Sequence, residues 1–220
     1  MRFALNFSDL LPYWDVLLAG LIFTIVLTAV STVTGIALGT ACAWSRTFGP
    51  GWLGSVTRGY VELIRNTPFI VQLFFIFFGL PALGIRLSET TAAVLAMTVN
   101  LGAYSAEIIR AGIEAVPRGH IEAGDSLAMN RLQIFRHIVL KQAFQKVYPA
   151  LSSQIIIVML GSSVVSQISA EDLTYAANFI QSRNFRAFEV YVVVALIYLL
   201  LAIFARFILR GVGRLAFPRS

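Results

Sequence analysis

Residues 16–46 read VLLAGLIFTIVLTAVSTVTGIALGTACAWSR, and the first charge in the stretch is the final Arg46. An α-helix rises 1.5 Å per residue and needs about 20 residues to cross about 30 Å of hydrocarbon. The run therefore spans a bilayer with length to spare. A helix is the expected form, because backbone groups in lipid must pair within the segment or in a closed barrel. The run is too continuous for the alternation of a barrel strand. Working outward, charges cut the chain into four more such pieces: 66–85 between Arg65 and Arg86, 90–106 between Glu89 and Glu107, 147–170, and 190–205, which 207–209 prolong past Arg206. The expectation is an all-α integral membrane domain covering residues 1–220, with five transmembrane helices at about 16–44, 67–85, 89–109, 146–170 and 188–209.

Composition agrees. Of 220 residues, 58% are hydrophobic and 13% charged, against about 45–50% and 25% in a soluble domain. One small core cannot hide that much apolar surface, and disordered chains are poor in such residues. The net charge of +6 does not imply nucleic acid, because long uncharged stretches separate the basic residues instead of gathering them on one face. The single cysteine, Cys42, excludes an intrachain disulfide. Asp9 and Asp15 lie in the short start, and the first apolar run outlasts a leader's core; both point away from a cleaved signal peptide.

With the N-terminus outside and the C-terminus cytosolic, the inner segments hold thirteen of the seventeen basic residues and the outer ones only Arg2, Arg86, Arg183 and Arg186. This is a strong positive-inside bias, and the outer segments carry Asp9, Asp15, Glu89, Glu171, Asp172 and Glu189 instead. Residues 51–66 read as an interfacial helix with Glu62 and Arg65 at i, i+3. It bends into the second span at Thr67-Pro68, expected as an N-cap followed by proline at the first helical position.

The segment from Arg110 to about residue 145 is too apolar for a linker and too charged for lipid. Ile121, Leu127, Ala128, Leu132, Phe135, Ile138 and Val139 fall near helical spacing, with a break before them at Pro117 and a second at Asn130. Such a cytosolic amphipathic helix either lies on lipid or fills a groove in another protein. Glu122 sits in its first turn, where the helix dipole favours an anion. Ala123 and Gly124 make a smooth patch for a close partner, whereas a lipid anchor would more naturally show Trp or Phe beside lysines. The groove reading is favoured.

Here the chain resembles a known family. Glu122-Ala123-Gly124-Asp125-Ser126-Leu127-Ala128, continuing through Arg131, Gln133, Phe135, Ile138 and Leu140 to Gln142-Ala143, is similar to the EAA loop of permease subunits of bacterial ABC importers. Tyr60 to Pro68, Val71 to Phe75, Phe78 to Pro81 and Gly102 to Ile113 resemble the polar amino acid branch. The resemblance runs through nearly the whole chain and implies a type I importer permease fold, multi-pass in the bacterial inner membrane. It implies four partners: a cytosolic ATPase dimer whose groove takes the loop, a second permease (identical or paralogous), an extracytoplasmic amino-acid-binding protein, and the lipid bilayer. Glu122, Ala123, Gly124, Leu127, Ala128 and Arg131 would then be the coupling residues. No Gly-rich stretch ending in Gly-Lys-Ser/Thr occurs, so ATP and magnesium belong to the ATPase partner and this chain is not an enzyme. Three departures stand out. Ala128 occupies the family's glycine position, where alanine, the better helix former, is expected to keep the fold. Lys141 follows Leu140 where proline is usual, and the Lys-Asp pair that many relatives carry in the fourth span is replaced by Leu160-Gly161.

Polar groups inside spans either satisfy a neighbour or face a pathway. Asn100 and Tyr104 on the third span, Ser162, Ser163 and Gln167 in the fourth, and Gln72 in the second offer the donors and acceptors an amino acid requires. The plainer role is interhelical hydrogen bonding, at about 0.6 kcal/mol each. No acid lies deep in a span, which argues against a lysine or arginine substrate. Gly35 and Gly39 form a GxxxG, either a packing face or a chance pattern. Gly124-Asp125-Ser126-Leu127 spells the nucleophile block of a serine esterase family, but it opens a helix, and only His120 and His137 exist to serve as base. No metal-ligand spacing is present. The rival function is a self-sufficient channel or secondary carrier for a small polar solute.

Overall fold

A computed structural model describes residues 5–217; Arg2 and Arg219, which entered the charge balance, lie outside the described residues. Among the described residues the chain is helical, without strands. Helix α1 (Trp14–Thr47) follows a 3-10 turn at Ser8–Tyr13. Helix α2 (Gly51–Arg65) then meets the helical run Phe69–Leu83 at 111°. That run consists of α3 (Phe69–Phe74), a π turn Phe75–Gly79 and a 3-10 turn Leu80–Leu83. Helix α4 (Glu89–Glu114) leads to the short α5 (Arg118–Ser126). A continuous run, Arg131–Ile168, contains α6 (Arg131–Ile134), a π turn at Phe135–Val139, α7 (Leu140–Gly161) and a 3-10 segment Ser162–Ile168. Helices α8 (Leu173–Asn184) and α9 (Ala187–Ala216) complete the fold. Four helical runs are long and apolar enough to cross a membrane, and the bent pair is a fifth if it acts as one span.

Helix α4 is central. Its Ala92, Ala93, Ala96, Met97 and Leu101 are buried against α1, α3 and the 3-10 segment, and Ile109 and Ile113 against the loop. Small residues set its distance from α1: a Cβ on Gly35 would come within 2.9 Å of Leu101, and one on Gly39 within 2.6 Å of the Ser105 Cβ and 2.9 Å of the Gly102 carbonyl. The GxxxG is thus a packing face. By contrast α9 leaves Leu196, Leu199, Leu200, Ile203, Phe204 and Phe207 exposed. A stripe this long fits a helix whose solvent is lipid.

The bend between α2 and α3 corrects one expectation. Pro68 itself occupies the cap position, with ψ 141°, and Phe69 is the first helical residue. The Thr67 hydroxyl turns back to the Leu63 carbonyl at 2.9 Å instead of capping α3. The residue before proline avoids the helical region, so α2 ends there and its last carbonyls need donors. Thr67 supplies one, and the buried Gln72 supplies another by donating to the Ile64 and Thr67 carbonyls at 2.7 and 3.0 Å.

At the end of the bundle far from the loop, the fully buried Asp172 caps α8. Its Oδ1 accepts from the Tyr175 amide (2.8 Å) and its Oδ2 from the Tyr198 hydroxyl of α9 (3.0 Å). Burial pushes the carboxyl up to about 6, against the pull of those donors. Because this lies above the unfolded value, the stabilisation is full below about pH 4 and is lost as pH rises through 6. Asp172→Asn should therefore flatten the pH dependence of thermal unfolding between pH 4 and 7, raising Tm relative to the parent at the alkaline end.

Candidate functional site

The loop is a rigid hairpin of two short helices. Helix α4 ends at Ala115, and Pro117, with ψ 132°, turns the chain into α5. At the other end of α5 the Met129 amide donates to the Gly124 carbonyl (3.1 Å) and the Ala128 amide to the Asp125 carbonyl (2.9 Å). This pair of bonds is a Schellman motif. Ala128 takes the left-handed position with φ 55°. The expectation that alanine helps there as a helix former is corrected: residue 128 is not helical, and a Cβ in this conformation costs about 1–2 kcal/mol. Ala128→Gly should raise stability by about 1 kcal/mol, read as an upward Tm shift of the purified complex.

Asn130 then starts the next helix with a reciprocal capping box: its Oδ1 accepts from the Gln133 amide (2.9 Å), and Gln133 Oε1 accepts from the Asn130 amide (2.8 Å). The break expected at Asn130 divides the amphipathic segment into two helices, and the second runs without interruption into the long apolar helix. Ile134, Phe135 and Val139 bury against Ile109, Ile113 and Val116, which explains the apolar spacing. Gly124 faces inward, and a Cβ there would come within 2.8 Å of Ile138 and 2.9 Å of Ile134. The other residues of the motif face out: Glu122, Ala123, Leu127, Ala128 and Arg131 are exposed, Leu127 by 76%.

Fixed bonds carry this hairpin. His120 Nδ1 and Gln142 Oε1 meet at 2.8 Å, joining α5 to α7, and the Lys146 ammonium donates to the Ala115 carbonyl at the end of α4. Above it, Arg46 of α1 pairs with Glu107 at 2.7 Å, and Arg110 bridges Glu107 and Glu114. A displacement of the exposed tip thus reaches α1, α4 and α7 together.

The esterase block has no nucleophile. The Ser126 hydroxyl bonds its own helix at Glu122 O (2.9 Å), His120 is engaged with Gln142, and His137 Nδ1 lies 3.0 Å from Gln133 O.

The polar residues of the spans fall into two groups. Asn100 donates from Nδ2 to Gln72 Oε1 at 3.0 Å, so both amides belong to the bend between α2 and α3. Tyr104 lies beneath the Arg65 guanidinium, 5.5 Å from ring centre to Cζ. In the 3-10 segment, Ser162 donates to Met159 O (2.7 Å) and Ser163 to Leu160 O (2.9 Å), while Gln167 is exposed. Cavities of about 960 and 390 Å³ are lined by other residues. Sequence reasoning missed the Tyr60 hydroxyl, which donates to Val99 O at 2.6 Å and anchors α2 on α4; the lone tyrosine of α2 was the available signal.

Residues 35–216 match the family described as binding-protein-dependent transport system inner membrane component. The glutamine transport system permease protein GlnP of Escherichia coli (strain K12) is 34% identical over 212 residues, 95% of this chain and 96% of that protein. The L-cystine transport system permease protein TcyB of Bacillus subtilis (strain 168) is 37% identical over 187 residues, 84% and 80% of the two chains. Among solved structures, a chain of an amino acid ABC transporter crystallised with histidines superposes with a TM-score of 0.86 at 35% identity, covering 96% of this chain and 99% of that one.

Proposed function

The chain belongs to the family of binding-protein-dependent transport system inner membrane components, and from that premise we propose that it forms one half of the pathway through which an ATP-driven importer moves a polar amino acid. It is a translocation subunit, and ATP hydrolysis resides in a separate ATPase. In this reading the bent pair is one of five spans, the N-terminus faces out, and the hairpin of α5 and α6 enters the cytosol of a bacterial cell at its inner membrane. A cytosolic ATPase dimer, binding ATP and magnesium, receives the hairpin in a groove. Closure of that dimer draws two hairpins together and turns the bundle between outward- and inward-facing states, and an extracytoplasmic binding protein delivers the substrate.

The observation that carries this reading is the hairpin itself: an exposed face of Glu122, Ala123, Leu127, Ala128 and Arg131 on a stem bonded to α1, α4 and α7. In this reading a second permease, identical or paralogous, completes the pathway; the two cavities of this chain are lined by residues other than the polar groups of the spans. Relatives named for glutamine and for cystine lie at similar identity, which supports the class of substrate and leaves the particular amino acid to experiment. Vesicles holding the chain, its ATPase and its binding protein should accumulate an amino acid only with ATP; uptake by this chain alone would favour the channel or carrier. Asn100→Ala and Ser163→Ala should lower uptake affinity or rate, Asn100→Ala more strongly because it also frees Gln72. If both leave uptake unchanged, Gln72, Asn100, Tyr104, Ser162, Ser163 and Gln167 do not form the pathway.

A further inference from the structure

A cavity of about 960 Å³ lies between the start of α7 and the last turns of α9. Its walls are fixed by specific packing. A Cβ on Gly213 would come within 2.4 Å of the Tyr148 ring, so glycine is what lets that ring lie on α9. The Tyr148 hydroxyl donates to Leu209 O at 2.6 Å, and the Phe217 ring stands 5.5 Å from the Tyr148 ring. Arg206, Arg210 and Arg214, spaced i, i+4, i+8 on one face of α9, line the cavity, and no carboxylate does. None of the three has an acidic partner among the described residues. Three exposed guanidiniums on one face with no carboxylate among them favour an anion, since guanidinium forks match phosphate oxygens.

We propose that this cavity holds the phosphodiester headgroup of an anionic phospholipid whose acyl chains run along α9. The level on the helix selects a lipid over a soluble anion. Arg206 lies about 29 Å along α9 from Ala187 at 1.5 Å per residue, the thickness of the hydrocarbon layer. The exposed Leu199, Leu200, Ile203, Phe204, Phe207 and Ile208 lead up to that level. One molecule can therefore satisfy both the apolar flank and the arginines, as basic pockets between spanning helices do for anionic headgroups. The site rests on the reading of α9 as a membrane span.

Native mass spectrometry of the detergent-purified complex tests it, with phosphatidylglycerol, phosphatidylcholine and inorganic phosphate as probes. Phosphatidylglycerol should bind more tightly than phosphatidylcholine, and R206Q and R210Q should each weaken it about fivefold. R58Q, an exposed arginine on α2 outside the cavity, should change it less than about twofold. An equal loss in R58Q means diffuse charge attraction and overturns the site. Phosphate binding the parent as tightly as the lipid means a free-anion site and overturns the lipid. A photoreactive side chain at position 206 that reaches a second permease instead of lipid makes the cavity an interface and also overturns it. Aqueous thiol labelling of cysteines placed throughout Ala187–Ala205 would strike the span reading itself. Protection there with no lipid preference would strike the lipid site alone.

Discussion

Replacing Leu127 with aspartate should lower ATP-driven uptake about thirtyfold while the chain still accumulates in the membrane and ATP hydrolysis persists. Leu127 is 76% exposed, yet it is not on a mobile tip. The Schellman bonds to Gly124 and Asp125 fix it on one side and the Asn130–Gln133 capping box on the other. An exposed leucine held this firmly contributes nothing to the chain's own core and is placed to fill a pocket in a partner. A fully desolvated apolar anchor at the centre of an interface costs about 2 kcal/mol or more to remove, and a carboxylate in its place must also be buried unpaired. Uptake and hydrolysis separate the two ways of failing: a folding defect removes both together, whereas a failed grip leaves hydrolysis without transport. Gly124 cannot serve this test, because it faces Ile134 and Ile138 and a larger side chain there would dislodge the hairpin from within. Ser126→Ala is the matched control, since its hydroxyl reaches only Glu122 O; uptake should be unchanged, which also disposes of the esterase block.

The spans were legible because a charge-free run of twenty residues has few other uses, but the helices outrun the bounding charges: α4 continues past Glu107 to Glu114, α9 past Arg206 to Ala216, and the fourth run starts at Arg131. The site was legible where chemistry was local: Pro117 and Asn130 were expected as breaks and both cap helices. What escaped depends on neighbours distant in sequence. Ala128 reads as a helix former, and only the turn imposed by the capping box after it reveals the left-handed backbone. Helix α8 was missed because 171–186 reads as a polar outer segment; its Leu173, Ala176, Ala177 and Ile180 become a buried face only against α1 and α9. Gln72 and Asn100 were expected as polar groups near a substrate, and what the sequence could not reveal is that proline leaves α2 with carbonyls that Gln72 reaches.

Gly39→Leu should abolish accumulation of the folded chain, and Gly39→Ala should lower its thermal stability measurably. In lipid, helix association depends on packing and not on expulsion of water, so interfaces rely on small residues that let backbones approach. At Gly39 the neighbours are the Ala106 backbone nitrogen and the Gly102 carbonyl, each 2.9 Å from an added Cβ, and the Ser105 Cβ at 2.6 Å. None of these is the end of a flexible side chain, so relief requires α1 and α4 to separate. Overpacking of this kind costs about 1–3 kcal/mol for a few methylenes and more when backbone must move, against a total stability of about 5–15 kcal/mol. Separation at Gly39 also pulls Arg46, seven residues further along α1, from Glu107, the ion pair that ties α1 to the root of the hairpin. Gly39→Ala should therefore reduce coupling as well as stability, with uptake per folded complex falling along with Tm. Gly59→Ala provides the contrast: nothing lies within 4 Å of an added Cβ on that exposed position of α2, and alanine there should stabilise the helix by up to about 1 kcal/mol. Should Gly39→Leu accumulate at the parental level with parental Tm, the close crossing of α1 and α4 is not what holds the bundle.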